Sequence, residues 1–296
     1  MNKEQFLKDG YLLFPKAIPQ ELLKKWQQLA DNIESAALAA HALGDRMEKA
    51  CVVEDKIGPR LMRFDELYLS HTQALLELLS IDTMQGIIKE LSGPSSVVIY
   101  CDLLFKHQHP HPVIKWHQGS PHSRNYPYLN IGIYLDNANE DDGCLRYVPG
   151  TQDKLQPISD IEREHGWTPP GLVQQPAKVG DILVQDMMIL HSSEPKRSPG
   201  ARRTIYVEVR PIEGIIEQQK VSDTWLDSRK AFMATLLETN PGDYFSKEEK
   251  AFFGKPAQSS KELANLMGSD HLNPIPAVYS VMDIKGPGYP VPDDLL

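Results

Sequence analysis

The sequence predicts a mainly β protein with flanking helices, in which an antiparallel barrel or sandwich is preceded and followed by helical segments. Apolar residues recur at helical spacing before residue 95, and helical spacing returns after Pro211. Between these segments lie several short β-branched runs, each bounded by Gly, Pro, Asn or Asp, with no long helix between them. Strands that follow one another without helical crossovers favour an antiparallel barrel over a doubly wound sheet.

Residues 1–94 are predicted to form a mostly helical support for the sheet. A turn signal at Gly10 precedes the apolar run Leu12–Phe14, which predicts a short strand entering the core. A helix is predicted over Pro19–Gly44, because proline suits a first helical turn and apolar residues recur behind it at helical spacing. A second amphipathic helix is predicted over His71–Leu91.

Residues 95–211 are predicted to form the β core, and residues 212–296 a C-terminal part with helices and a Pro-rich tail. The strand candidates are Ser96–Tyr100, Leu129–Leu135, Cys144–Val148, Asp181–Leu190 and Thr204–Val209. Residues 157–174 are predicted as a long loop of the functional kind, and a helix is predicted over Asp223–Leu237. The five prolines after Asn273 predict an extended tail. No repeat and no linker divides the chain, so residues 1–296 are expected to be a single domain.

The composition excludes several classes of function. There are 31 Lys and Arg against 40 Asp and Glu, a formal charge of −9, which argues against broad contact with nucleic acid or an anionic membrane. No apolar run approaches the roughly 20 residues that cross a bilayer, and the first residues lack the profile of a signal peptide. The three cysteines are widely spaced, which suits a reducing cytoplasm. The expectation is a cytoplasmic protein that acts on a small molecule, and no oligomeric state follows.

Four motifs succeed one another along the chain. They are Lys115-Trp116-His117-Gln118-Gly119, then the stretch Asp142–Thr151, then Gly180-Asp181 running to His191-Ser192-Ser193, and finally Arg202-Arg203-Thr204. This ordered series resembles the phytanoyl-CoA dioxygenase family of Fe(II)/2-oxoglutarate-dependent oxygenases, whose fold is the double-stranded β-helix, a cupin-like jelly roll. The resemblance begins at Asp9-Gly10-Tyr11 and runs to about Pro211. It implies an enzyme that uses Fe(II), 2-oxoglutarate and O2.

The resemblance also implies the metal ligands. It makes His117 and His191 the iron ligands, in a class of site that commonly uses two histidines and one carboxylate on one face of the metal. Neutral imidazole suits Fe(II), and a hydrogen bond at the other ring nitrogen usually fixes the tautomer.

By the same resemblance, Arg202 and Ser193 anchor the far carboxylate of 2-oxoglutarate. A guanidinium suits this task because its planar fork matches a carboxylate bidentately. Arg203 follows directly, so on a strand it is expected to face the other way. Gln118 and Lys106 are further candidates for contact with the cofactor.

Gly119 stands where a hydroxylating member of the family would carry the Asp of its His-x-Asp motif. A missing carboxylate opens a coordination position for an exogenous anion. Aliphatic halogenases of the same superfamily carry Gly or Ala here and bind chloride on the iron. The resemblance therefore implies halogenation, with Gly119 as part of the catalytic site and chloride as an added cofactor.

Three alternatives to a native halogenase stay open. Gly119 could be an engineered replacement in a hydroxylase. Asp186 could supply the carboxylate instead, although five residues before His191 on one strand it would face the opposite side. The chain could also be a non-catalytic binding module, which would not need a 2-oxoglutarate anchor.

The nature of the substrate depends on the basic residues near the predicted barrel mouth. These are Lys106, Lys115, His122, Arg124 and Arg146, and they indicate an anionic metabolite unless they are scattered solvated charges. The row His107-Gln108-His109-Pro110-His111 could place three imidazoles on one strand face. Its prolines argue against a regular strand, so the row is predicted as a polar loop rather than a second metal site.

Overall fold

The structure, a computed structural model, describes residues 2–45, 47–55, 57–111, 113–218, 221–240, 242–270 and 292–295. In these ranges the helices are α1 Lys3–Asp9, α2 Gln20–Ala42, α3 Leu67–Ser70, α4 Thr72–Leu79, α5 Asp82–Ile87, α6 Ile158–His165, α7 Ile212–Gln218, α8 Asp223–Thr239, α9 Lys247–Phe252 and α10 Ser260–Ser269. The strands are β1 Tyr11–Phe14, β2 Ala50–Asp55, β3 Gly58–Asp65, β4 Ser96–His107, β5 Leu129–Tyr134, β6 Leu145–Val148, β7 Val173–Gln175, β8 Ile182–Asp186, β9 Leu190–Ser193 and β10 Ala201–Pro211.

The strands form two antiparallel sheets. The large sheet has the order β1-β8-β5-β10-β4-β3-β2, and the small sheet has the order β7-β6-β9. From β7 to β10 the chain alternates between the sheets, since β7 and β9 belong to the small sheet and β8 and β10 to the large one. This is the predicted jelly roll, with a β core between N-terminal and C-terminal helices, and the prediction of fold class is confirmed.

The large sheet separates two hydrophobic layers. On one face Leu103 of β4 packs in a core that includes Trp26 of α2 and Phe232 of α8. A second cluster includes Leu183 of the large sheet and Tyr147 of the small sheet, so it fills the space between the sheets. One hydrophobic core thus contains residues of helices from both ends of the chain. The single domain over residues 1–296 stays a prediction.

Several predicted boundaries differ from the structure. The predicted strand Asp181–Leu190 is two strands, β8 and β9, because the Asp186 carboxylate accepts the N–H of Met188 at 2.8 Å and turns the chain. The predicted helix His71–Leu91 is interrupted after α4, where the carbonyl of Ser80 accepts the Gln85 amide at 2.7 Å. Side chains therefore create both breaks, which periodicity alone does not reveal.

Other elements were missed or extended. The hairpin of β2 and β3 was not predicted, and β4 continues seven residues beyond its predicted end at Tyr100. The predicted loop 157–174 contains α6 and the start of β7. The predicted Pro-rich tail after Asn273 lies almost entirely outside the described residues. Among the described residues, the structure has no helix that is both long enough and apolar enough to span a membrane.

Candidate active site

Two histidines meet where the segment around residue 117 pairs with β9. The backbone N–H groups of His117 and His191 each donate to the other's carbonyl oxygen, at 2.9 and 3.0 Å. Directly paired residues place their side chains on the same face of a sheet. The centroids of the two imidazole rings accordingly lie 4.0 Å apart.

The hydrogen bonds of the two rings fix their tautomers. Nδ1 of His117 lies 2.8 Å from the carbonyl oxygen of Lys115, and Nδ1 of His191 lies 2.8 Å from that of Ile189. A carbonyl oxygen only accepts, so each Nδ1 carries the proton and each Nε2 keeps its lone pair. Burial lowers the pKa of both imidazoles, and His117 lowers that of His191 further. Both rings are thus neutral with Nε2 available, the form in which histidine binds a metal.

The turn after β8 closes the space beside Gly119. The Gly119 N–H donates to the carbonyl oxygen of Met187 at 2.6 Å. A Cβ atom at position 119 would lie 2.9 Å from this oxygen and 3.0 Å from Cε of Met187. The position therefore lacks a carboxylate and cannot take one unless the turn moves.

Asp186, the nearest carboxylate in the motif, holds this turn in place. Its Oδ1 accepts the Met188 N–H and lies 2.9 Å from Nε2 of His122, while Oδ2 accepts from Arg124 at 2.7 Å. The expectation that Asp186 shares a strand with His191 is wrong, because β9 belongs to the other sheet. No group of three His, Cys, Asp or Glu that could hold a metal occurs in the described part of the chain.

Arg202 of β10 lies in a buried pocket with Lys106 and Ser193. Arg202 is fully buried, and none of its three guanidinium nitrogens makes a hydrogen bond of ordinary geometry with the described residues. It pairs in register with Lys106 of β4, whose Nζ donates to Oγ of Ser193 at 2.6 Å. Burial, and then the charge of Arg202, lowers the pKa of Lys106 well below its usual value. Because a buried guanidinium without an acceptor is costly, this pocket suits an anionic group.

Two other residues of the motifs lie away from this pocket, Arg203 as strand alternation predicts and Gln118 contrary to its predicted contact with the cofactor. Arg203 binds Asp136 with a distance of 2.7 Å from its Nε, on the opposite face of β10. The Gln118 amide donates to backbone carbonyls, among them that of Met188, and its Oε1 accepts the N–H of Gln156 at 2.7 Å. Gln118 therefore holds neighbouring loops, and none of these contacts supports its predicted role in cofactor binding.

The basic side chains behind the prediction of an anionic substrate are mostly neutralised or used elsewhere. His122 and Arg124 contact Asp186, and Lys106 lies in the pocket of Arg202. Arg146 pairs with Glu194 at 3.1 Å, and its Cζ lies 3.9 Å from the ring centroid of Trp167. Four of the five basic side chains are thus not available at the surface to bind an anionic substrate.

The histidine row does not lie on one strand. β4 ends at His107, whose Nε2 lies 2.8 Å from the carbonyl oxygen of Leu61. Burial lowers the pKa of His107 to about 4. His111 is buried after the turn, with its ring centroid 5.1 Å from that of His107. These neutral, packed rings agree with a loop, although His111 is more buried than a polar loop at the barrel mouth would require.

One residue that the motifs did not single out contacts the ring of His191. Gln185, buried near the end of β8, has its Nε2 2.9 Å from Nε2 of His191. Its Oε1 accepts the hydroxyl of Tyr147 at 2.7 Å. Alternation from the apolar Leu183 would have placed Gln185 on the inner face. The sequence analysis did not single out Gln185 because it predicted one continuous strand, Asp181–Leu190, whereas the structure has two strands, β8 and β9.

These features define a class of protein. It is a jelly roll in which two neutral histidines present Nε2 to the space between the sheets, near a buried arginine that makes no hydrogen bond of ordinary geometry with the described residues. The histidines fit a metal ion and the arginine fits a carboxylate, whereas the described part of the chain supplies no third His, Cys, Asp or Glu to complete a metal site. A sequence profile of the phytanoyl-CoA dioxygenase (PhyH) family matches residues 6–204, and the chain belongs to this family.

Individual relatives are about a quarter identical to this chain over the segments that align. The phytanoyl-CoA dioxygenase domain-containing protein 1 homolog of Dictyostelium discoideum is 27% identical over 161 residues, 49% of this chain and 54% of that protein. Methylphosphonate hydroxylase of Gimesia maris is 26% identical over 143 residues, 45% of this chain and 51% of that protein. The chain thus matches about half the length of each.

The fold is shared with solved structures of low sequence identity. HygX of Streptomyces hygroscopicus with nickel and 2-oxoglutarate bound has a TM-score of 0.52 at 15% identity, covering 71% of this chain and 87% of that chain. The same protein with iron bound has a TM-score of 0.54. The likeness supports the jelly-roll architecture described above.

Proposed function

We propose that this chain is an Fe(II)/2-oxoglutarate-dependent oxidoreductase that functionalises an aliphatic C–H bond of a small metabolite. The observation that carries the proposal is the buried guanidinium of Arg202, which makes no hydrogen bond of ordinary geometry with the described residues and pairs in register with Lys106. A carboxylate of 2-oxoglutarate supplies the acceptor that such a group lacks. Membership of the PhyH family supports the same activity.

Each part of the site has one task in this proposal. His117 and His191 hold the metal through Nε2, and their Nδ1–H bonds to backbone carbonyls keep the rings oriented. Arg202 binds the far carboxylate of 2-oxoglutarate, with the hydrogen-bonded pair of Lys106 and Ser193 beside it. Together, iron and 2-oxoglutarate supply the oxidising chemistry, which converts O2 and 2-oxoglutarate to CO2, succinate and an oxidised substrate.

The finer proposal is halogenation, and Gly119 supports it. Position 119 carries no carboxylate, and the described residues contain no group of three His, Cys, Asp or Glu that could hold a metal, so we assign the remaining ligand position to an exogenous anion such as chloride. The reaction then balances as RH, chloride, a proton, O2 and 2-oxoglutarate giving RCl, succinate, CO2 and water. The close contact of Met187 with position 119 favours a native glycine over an engineered replacement of Asp.

Two alternatives predict different products. A hydroxylase whose Asp has been replaced by Gly119 would yield only hydroxylated product, whatever the chloride concentration. A binding module would release no succinate, and it would have no use for the 2-oxoglutarate anchor that we assign to Arg202.

The test is turnover of 2-oxoglutarate by the iron-loaded protein in air, with and without chloride. We expect succinate release that a His191→Ala variant lacks, and a chlorinated product when a metabolite mixture is analysed by mass spectrometry. Hydroxylated product alone would overturn the proposal of halogenation. The absence of succinate with every metabolite mixture would overturn the proposal that the chain is an enzyme.

We propose an anionic substrate as the substrate class. The support is the relative from Gimesia maris named for methylphosphonate, an anion, although that match covers about half of each protein. The paired cations described above weaken the argument from charge. Phosphonates and carboxylates should stimulate succinate release more than matched neutral or amine compounds, and the reverse order would overturn this proposal.

A further inference from the structure

We propose that Gln185 positions the exogenous anion at the metal by donating an amide N–H to it. This inference rests on the proposed function in its halogenating form. It assigns a role to a residue that the motifs did not single out, and it makes Gln185 a positioning residue that acts through the bound anion.

The amide of Gln185 has a defined orientation. Nδ1 of His191 donates to the carbonyl oxygen of Ile189, so Nε2 of His191 carries a lone pair and only accepts. The atom of Gln185 that lies 2.9 Å away must therefore be the NH2 group. The hydroxyl of Tyr147, donating to Oε1 at 2.7 Å, holds the other end of the amide.

Metal binding removes the acceptor of this N–H. The lone pair on Nε2 of His191 is the one that a metal takes, so a bound metal displaces the NH2 group of Gln185 from its place 2.9 Å from this nitrogen. Gln185 is almost completely buried, and a buried donor that loses its partner destabilises the site unless another acceptor replaces it. The metal-bound form therefore needs a new acceptor for this N–H near the metal.

An anion bound at the metal is the acceptor that the site allows. Position 119 offers no carboxylate, and the turn at Met187 closes the space beside it. Asp186, the other nearby carboxylate, is already bound by His122 and Arg124. In the proposed site Arg202 holds the far carboxylate of 2-oxoglutarate, so a halide and the other carboxylate of the cofactor are the anionic acceptors near the metal. We assign the Gln185 N–H to the halide, and the titration below distinguishes the two acceptors.

The experiment measures halide binding to the protein loaded with Fe(II) and 2-oxoglutarate under argon. The readout is the visible charge-transfer band of the Fe(II)–2-oxoglutarate complex during titration with sodium chloride, with sodium sulfate as the ionic-strength control. Gln185→Leu removes the donor at similar size, and Tyr147→Phe removes the hydroxyl that holds the amide. Gln175→Leu is the matched control, because this glutamine lies on β7 and binds only the carbonyl oxygen of Pro176 at 2.8 Å.

We expect chloride to bind Gln185→Leu roughly 10- to 100-fold more weakly, since a hydrogen bond to a charged group is lost. Tyr147→Phe should show a smaller loss in the same direction, which keeps the proposal testable if Gln185→Leu does not fold. Gln175→Leu should match the wild type, and the affinity for 2-oxoglutarate should stay unchanged throughout.

Two results would overturn the assignment to halide. Unchanged chloride affinity in both variants would remove the role of Gln185 while leaving the proposed function intact. Weaker 2-oxoglutarate binding with unchanged chloride binding would assign the N–H to the cofactor carboxylate. A wild-type protein whose band does not respond to chloride would overturn halogenation, and with it this inference, even if 2-oxoglutarate is still turned over.

Discussion

Replacement of Gly119 by Ala isolates the steric effect of the turn after β8. The backbone at Gly119 is not in the left-handed region, so alanine meets no conformational penalty there. Its Cβ would lie 2.9 Å from the carbonyl oxygen of Met187, which is backbone and cannot swing away as a side-chain end could. Asp186 and its partners hold this turn, so the contact cannot relax freely.

The magnitude follows from two opposing effects. Gly→Ala at a compatible backbone position stabilises a protein by about 0.4–1 kcal/mol through the unfolded state. Overpacking of a fixed site costs about 1–3 kcal/mol. We therefore expect Gly119→Ala to lower the free energy of unfolding by about 1.3 kcal/mol, the difference between the midpoints of the two ranges.

The assay is urea unfolding of the wild type, Gly119→Ala and a control. Gly268→Ala is the control, because its Cβ would lie 3.4 Å from Cδ2 of Leu69, an ordinary contact, and because it lies in α10. The control should be neutral or stabilised by up to about 1 kcal/mol. Gly119→Asp meets the same contact at Cβ, so it should also be destabilised and should not bind Mn(II) more tightly. A Gly119→Ala variant as stable as the wild type, or tighter metal binding by Gly119→Asp, would refute the reasoning.

Three further predictions concern single residues. Replacing His117 or His191 by Ala should abolish Fe(II) binding in equilibrium dialysis, because each supplies one Nε2, and full retention of iron would contradict the site. Arg202→Ala should raise the KM for 2-oxoglutarate sharply, since comparable buried charge pairs lose about 2–5 kcal/mol. Arg203→Ala should leave this KM unchanged, because Arg203 lies on the other face of β10. A raised KM in Arg203→Ala with an unchanged KM in Arg202→Ala would assign the carboxylate anchor to Arg203. Because burial lowers the pKa of His107 from 6.5 to about 4, its neutral form favours folding. The stability that it contributes is complete above pH 6.5 and is lost as the pH falls towards 4. His107→Gln should therefore lose less stability than the wild type between pH 6.5 and pH 4. The free energy of unfolding in urea is measured at several pH values, and an equal dependence on pH in both proteins would contradict this prediction.

The sequence predicted the order of the elements because most of them depend on local patterns. The helix over Pro19–Gly44 and the strands at residues 129 and 204 follow from periodicity and turn residues, and the structure confirms them. The split between β8 and β9 depends instead on the side chain of Asp186, which binds the N–H of Met188 and two basic groups distant in sequence. Such contacts between distant residues leave no periodic signal.

The candidate site shows the same division. The resemblance to the PhyH family named His117, His191 and Arg202, and the structure brings the two rings side by side and buries the guanidinium. Their roles stay predictions until they are measured. The contact of Gln185 with His191 could not be predicted, because it joins two sheets across a turn that the sequence pattern had merged into one strand.

The most direct test of the proposed site is the binding of 2-oxoglutarate to the iron-loaded protein under argon. Wild-type protein and Arg202→Met are each titrated with 2-oxoglutarate at a fixed Fe(II) content, and the visible charge-transfer band is recorded. The proposal predicts a saturable band with one iron per chain in the wild type, and a much weaker affinity for 2-oxoglutarate in Arg202→Met with the iron content unchanged. Wild-type protein that binds iron but forms no band, or an Arg202→Met variant with wild-type affinity, would contradict it.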